Sequence, residues 1–284
     1  MGKTLKIGLA VVFFIGVFVM SLPSLVHKAG LHPDYVGPTV NLPGKRALII
    51  TTSHRVLAPV GETEGDPTGV AASEMTHPYY TFLDGGMDVD LASIEGGEIP
   101  IDPETINRVV RTAEDERFLN DSIAMSKAKY SIPIADVDIT AYDIVFISGG
   151  WGASYDLAQS PVLGEMVSDA YYGAKDAIIG GVCHGVLGMV NARTTDGSLL
   201  VAGRRMTGVT DKQVKELGIE VTPKHPETEL RKAGALFESQ SAFRDLFATH
   251  VAVDDERRFV TGQNQNSALE ASHVMMKVYA EREG

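Results

Sequence analysis

The 284-residue chain has a single cysteine, Cys183. One cysteine excludes an intramolecular disulfide framework and any cysteine-rich metal site, and it carries no information about compartment. Positive charge is scarce as well: 25 Lys and Arg stand against 37 Asp and Glu, for a formal net charge of −12. That balance argues against a nucleic-acid partner, because phosphate-backbone binders carry a surplus of Lys and Arg. No internal repeat or low-complexity tract is visible, and His54, Glu74 and His77 form no recognisable ligand spacing, so neither metal nor cofactor is expected. What remains is a hydrophobic content of 44%, enough at this length for one large or two ordinary domains that act on small-molecule or protein substrates.

The N-terminus differs in composition from the rest. Lys3 and Lys6 precede an uncharged run over 7–26, close to the roughly 20 residues that cross a bilayer. This predicts one N-terminal transmembrane helix at 7–26, with the N-terminus cytoplasmic and the globular domain extracytoplasmic. A cleaved signal peptide with secretion of the remainder is the alternative, although Ser21 to Ser24 with Ala29 and Gly30 offers a poor small-x-small site. Pro33, Pro38 and Pro43 mark 30–44 as an extended linker. The expected division is an anchor or signal segment with the start of the linker at 1–36, linker at 37–45, and one α/β domain at 46–284.

The globular part is organised around 177–188, AIIGGVCHGVLG. An apolar run ends at Cys183 among glycines and is followed by a helix-like stretch over 186–190. Strand, tight turn with a nucleophile-type residue, then helix is the layout of a nucleophile elbow. Gly181 and Gly185 suit the close backbone approach that the turn demands, and a thiol at a helix N-terminus has its thiolate stabilised by free N–H groups. His184 is ambiguous, since adjacency in sequence does not aim its ring at the sulfur.

Further strands are expected at 46–52, 87–93 and 143–148, with a helix over 70–83 kinked near Pro78 and another over 162–172. Two short helices should occupy 103–129. Beyond the elbow, 198–202 and 205–208 read as short strands, 211 onward and 227–234 as helices, 250–254 and 258–261 as a hairpin, and 266–281 as the last helix. Strand–helix–strand alternation calls for a parallel sheet, with ligands at the carboxyl ends of the strands after 52, 93, 148 and 182.

Gly180-Gly-Val-Cys183-His184-Gly185, with Ile147-Ser-Gly-Gly150 upstream, resembles the ThiJ/PfpI superfamily, which shares the fold of class I glutamine amidotransferases. Thr68-Gly-Val-Ala-Ala-Ser-Glu74-Met-Thr-His77-Pro78-Tyr79, the 89–103 stretch, Met206-Thr-Gly208 and Thr261-Gly-Gln-Asn264 are similar to its glyoxalase III-like and chaperone-like branch. The resemblance implies a flavodoxin-like fold, a central and mostly parallel sheet sandwiched by helices. It implies Cys183 as nucleophile, Glu74 as a protonated carboxyl that donates to the thiolate, and the N–H groups of Gly150 and His184 as an oxyanion site, with Glu74 or His184 moving a proton. Two positions depart from the branch: Trp151 stands where histidine is common, and Val214 where an acidic partner for the histidine is common, with Asp211 and Glu216 out of register.

The activity implied is glutathione-independent conversion of a 2-oxoaldehyde such as methylglyoxal to a 2-hydroxy acid, with removal of glyoxal adducts from glycated proteins as a variant. A cysteine hydrolase acting on amides or peptides is one alternative. A non-enzymatic, membrane-tethered chaperone or thiol redox sensor is another. Dimerisation, frequent in the superfamily, is a further possibility that the resemblance raises.

Overall fold

The structure is a computed structural model that describes residues 13, 14, 17 and 20–283. Its main sheet has seven strands: β1 (Arg46–Thr51), β2 (Asp88–Ser93), β3 (Ile132–Pro133), β4 (Ile144–Ile147), β5 (Ile178–Val182), β6 (Val251–Val253) and β7 (Phe259–Gly262). Their order is β6-β7-β5-β4-β1-β2-β3, parallel throughout except for the antiparallel β6–β7 pair. The inner strands are apolar along their length because both faces are covered.

Alternation along each strand divides the core in two. Ala47, Ile49, Ile144, Phe146 and Val260 pack on one face against helices Ala72–Asp84 and Ala268–Glu283. Leu48, Ile50, Val145, Ile147 and Ile179 face the other way, toward helix Pro161–Tyr172. The result is the expected helix–sheet–helix sandwich. Because β2 and β4 lie on opposite sides of β1, the chain reverses direction across the sheet there, and a crevice opens at the carboxyl ends of the strands.

Two local expectations are corrected. The stretch at 198–202 is not a strand: it turns, with one isolated bridge between Arg193 and Leu199, while Leu200 and Val201 are buried. The helix after the elbow is a 3-10 helix over Cys183–Met189. It contains Gly185 and Gly188, which disfavour an α-helix, and both press on Ile147.

The membrane expectation is also corrected. Much of the 7–26 run lies outside the described residues, and among the described residues no helix is long and apolar enough to cross a membrane. The transmembrane helix, the anchor at 7–26 and the localisation drawn from them are therefore withdrawn. From residue 20 the chain is helical to residue 28, but this turn carries Ser21, Pro23, Ser24, His27 and Lys28, and residues 21–23, 26 and 27 are half-buried. Gly30, at φ +104, ends it: the Gly30 N–H donates to His27 and the Leu31 N–H to Val26, the bond pattern of a glycine C-cap. Residues 31–44 then run without helix or strand, pinned where Leu31 and Leu42 are buried and where the Leu42 N–H donates to the Gly85 carbonyl at 2.7 Å.

Candidate active site

β5 delivers Cys183 to the carboxyl edge of the sheet with φ +58, a left-handed conformation that costs a non-glycine residue roughly 1–2 kcal/mol. Packing on both sides enforces it. A Cβ added to Gly181 or Gly185 would lie 2.5 or 2.1 Å from the Ile147 carbonyl oxygen, so no other residue fits beside β4. Directly after β4, a Cβ on Gly149 would lie 2.5 Å from Glu74 Oε2 and 2.7 Å from the His184 nitrogen. Gly150, at φ +98, leaves no room either: its Cβ would sit 2.3 Å from the Gly69 carbonyl oxygen. The β4 loop, the elbow and the start of helix Ala72–Asp84 thus meet backbone to backbone.

Glu74 lies in the first turn of that helix and is 1% exposed. Its Oε2 accepts from the Gly149 N–H at 3.0 Å, and its carboxyl is hydrogen-bonded to the Cys183 side chain. Ser148 Oγ donates to the Glu74 carbonyl at 2.8 Å and fixes the helix end against β4. Burial pushes the Glu74 carboxyl up to about 8, against the opposing pull of the Cys183 and Gly149 hydrogen bonds. Cys183 is 2% exposed. Burial first, and a negative charge on Glu74 second, push its thiol well up, while the N–H groups of Gly150 and His184 oppose this. With Glu74 protonated the repulsive charge is gone and the carboxyl becomes a donor to the sulfur.

His184 is fully buried, with Nδ1 3.5 Å from Cys183 Sγ and Nε2 without a partner among the described residues. Burial, then His225, lower its pKa to about 3, so the ring is neutral. Trp151 packs edge-on against it, with centroids 5.4 Å apart. Val214 is buried, Asp211 accepts from Thr228 Oγ1 at 2.8 Å, and Glu216 accepts from the Asp245 N–H at 2.8 Å. Among the described residues no acid orients His184.

Glu74 and Cys183 open onto a cavity of about 240 Å³, walled by Leu31, Ala71, Val110, Trp151, Leu217 and Leu246, with Asp102, Glu104, His32 and Gln265 as further polar lining. Among the described residues neither Lys nor Arg lines it. Among the described residues no group of His, Cys, Asp and Glu is placed to hold a metal ion. The sequence reading brought Cys183, Glu74, Gly150 and His184 to one place, and they do meet. It missed Leu31 and His32, which lie in a stretch read as linker, and the only hint was an apolar residue beside a histidine between two turn formers.

The position of the thiol, at the end of an inner parallel strand and in a left-handed conformation, defines the class: an α/β protein with a nucleophile elbow. Within that class the chain belongs to the DJ-1/PfpI family, whose profile matches residues 67–277. It is 31% identical over 182 residues to a glutathione-independent glyoxalase of Saccharomyces cerevisiae, spanning 62% of this chain and 73% of that protein. It is 26% identical over 232 residues to glyoxalase 3 of Candida albicans, spanning 76% of this chain and 92% of that protein. Among solved structures, the rapid encystment protein of Francisella tularensis superposes with a TM-score of 0.74 at 32% identity, covering 83% of this chain and 99% of the other.

Proposed function

We propose that the protein is a cysteine-dependent, glutathione-independent glyoxalase that converts a small 2-oxoaldehyde such as methylglyoxal to the 2-hydroxy acid. The observation that carries this reading is the Cys183–Glu74 pair: a thiol hydrogen-bonded to a carboxyl whose pKa is about 8, inside a cavity that no Lys or Arg among the described residues lines. The glyoxalase names of relatives with this fold support it.

In the reactive form of the pair the sulfur is a thiolate and Glu74 holds the proton. The sulfur attacks the aldehyde carbon, and the alkoxide that forms lies at the N–H groups of Gly150 and His184. Glu74 gives that oxygen its proton. The resulting carboxylate removes the hydrogen from the same carbon, and the C–H electrons form the double bond of an enediol. Glu74 returns the proton to the neighbouring carbon while the first hydroxyl proton passes to the second oxygen, leaving a thioester. Water cleaves the thioester, releasing the 2-hydroxy acid and the thiolate, and one of the protons set free restores Glu74. A carboxyl with a pKa near 8 suits both halves of this exchange, and His184, held neutral and without an orienting acid among the described residues, is a weak base by comparison. A thiol only 2% exposed at the base of a cavity favours a free aldehyde over an adduct on a protein surface.

The test is lactate formation from methylglyoxal by the full chain beside Cys183→Ala and Glu74→Gln. Turnover should vanish in the first. In the second it should fall by about 10²–10⁴, because Gln keeps a hydrogen-bond donor and cannot exchange a proton. A folded, reduced protein that makes no lactate would sink the reading and leave the hydrolase and the thiol sensor.

A further inference from the structure

The segment that precedes the family-matched region closes one side of the cavity. Leu31, 5% exposed, and His32 line it together with Glu74, Cys183 and Trp151. His32 is held at φ +51, in the left-handed region that only a few per cent of non-glycine residues occupy. Asn266 holds the bend from both sides: its Oδ1 accepts from the His32 N–H at 2.8 Å and its Nδ2 donates to the Gly30 carbonyl at 2.8 Å.

The ring itself is half-satisfied. One nitrogen donates to the Gln265 carbonyl, and Nδ1, a buried lone pair, has no partner among the described residues. His77 and His27 are its ring neighbours, with centroids at 5.7 and 6.0 Å, and neither gives it a hydrogen bond. Burial, with His77 and His27 adding to it, lowers the ring pKa to about 3, so it is a neutral acceptor. Leaving such an acceptor unpaired costs roughly 1–3 kcal/mol, and strained backbone together with an unpaired polar atom at a reaction cavity marks a group held ready for a ligand.

We propose that His32 is a substrate-contacting catalytic residue, whose Nδ1 accepts a hydrogen bond from the hydroxyl formed on the aldehyde carbon when Cys183 adds to it. This rests on the glyoxalase reading and extends it to a residue outside the matched region. No covalent change occurs at His32. It orients the hydroxyl and leaves proton exchange to Glu74.

The experiment uses the full chain with methylglyoxal and compares wild type with His32→Leu and His32→Asn. Asparagine tolerates the left-handed conformation and offers an amide oxygen near the place of Nδ1, whereas leucine fills the volume without an acceptor. His32→Gly, unstrained at this φ, replaces the leucine variant if that one does not fold. Two readouts are taken: kcat/KM for lactate formation, and the concentration of methylglyoxal that protects Cys183 from iodoacetamide.

The expected result is a 10- to 100-fold fall in kcat/KM for leucine, a matching rise in the protecting concentration, and asparagine within about fivefold of wild type. Wild-type values in the leucine variant overturn the proposal while the glyoxalase reading stands. So does an asparagine variant as impaired as leucine, since shape and not an acceptor would then matter. If wild type makes no lactate but is protected, and leucine loses that protection, the contact holds and the glyoxalase reading falls. If wild type shows neither turnover nor protection, both fall.

Discussion

Cys183 and Glu74 work as one titrating unit. Neither would be useful alone: a thiol buried to this extent resists ionisation, and a carboxylate beside it resists ionisation of the thiol further. Sharing protons resolves the conflict, so alkylation of Cys183 by iodoacetamide should rise with pH through about 8, where the pair gives up its first proton. Glu74→Leu removes the donor to the thiolate, a charge-assisted bond worth roughly 1.5–3 kcal/mol, and should slow alkylation at pH 7 by about 10- to 100-fold. An unchanged rate would mean that Glu74 does not touch the thiolate. Cys183, Glu74 and Gly150 were legible in the sequence because each sits in a short contiguous motif. The left-handed backbone at Cys183 and the presence of His32 were not, since both are imposed by residues distant along the chain: Ile147 on the elbow, and Asn266 on the N-terminal bend.

At the scale of elements, the site is the meeting of three backbones, and glycine sets the spacing. Gly150→Ala forces a Cβ to within 2.3 Å of the Gly69 carbonyl oxygen and 2.4 Å of the Ala71 nitrogen, at a φ of +98 that alanine disfavours. It should cost 2 kcal/mol or more in chemical denaturation and misplace the N–H that faces the sulfur, so thiol reactivity should fall with stability. A variant that is as stable and as reactive as wild type would overturn this account. The strands of the main sheet could be read because a strand buried on both faces is an unbroken apolar run of limited length. The stretch at 198–202 has the same composition, yet it turns: burial of Leu200 and Val201 needs no strand, and periodicity cannot tell the two apart over five residues. The 3-10 form of Cys183–Met189 was hidden for a related reason, because helical spacing over so short a run does not fix the turn radius.

The whole molecule carries buried groups of opposite pH behaviour. His32, His77 and His184 are each lowered to about 3 and bind fewer protons folded than unfolded, so their contribution to stability is present above about 6.5 and is lost as pH falls toward 3. His77 Nε2, 3.5 Å from Glu114, is then part of a neutral ring, because burial, with His27 adding to it, lowers its pKa to about 3. Glu74 has the opposite sign. Its raised pKa means that the folded state keeps a proton the unfolded chain releases, so its contribution is full below about 4.5 and is lost as pH rises through 8. These three histidines, joined by His273, which burial also lowers, outweigh the Glu74 carboxyl between 4.5 and 6.5, and above that the loss at Glu74 has no histidine to oppose it. Thermal stability should therefore peak near pH 6.5, and Glu74→Gln should flatten the alkaline limb up to pH 8 and steepen the acid limb, where the carboxyl opposes the histidines. Melting curves of the two proteins from pH 5 to 8 test this, and parallel alkaline limbs would refute it.

The N-terminal bend over the cavity joins residues that are 234 positions apart at the His32–Asn266 hydrogen bond. On a ribosome adding about 5–20 residues per second, His32 emerges roughly 10–50 s before the asparagine that will hold it. The pocket wall made first is thus among the last to dock, and such long-range closure is slow to form. Until then the thiol has a sheet, an elbow and a glutamate partner, and no cover on that side. Shielding of Cys183 is in this sense a late property of the chain, acquired only once residue 266 has been made.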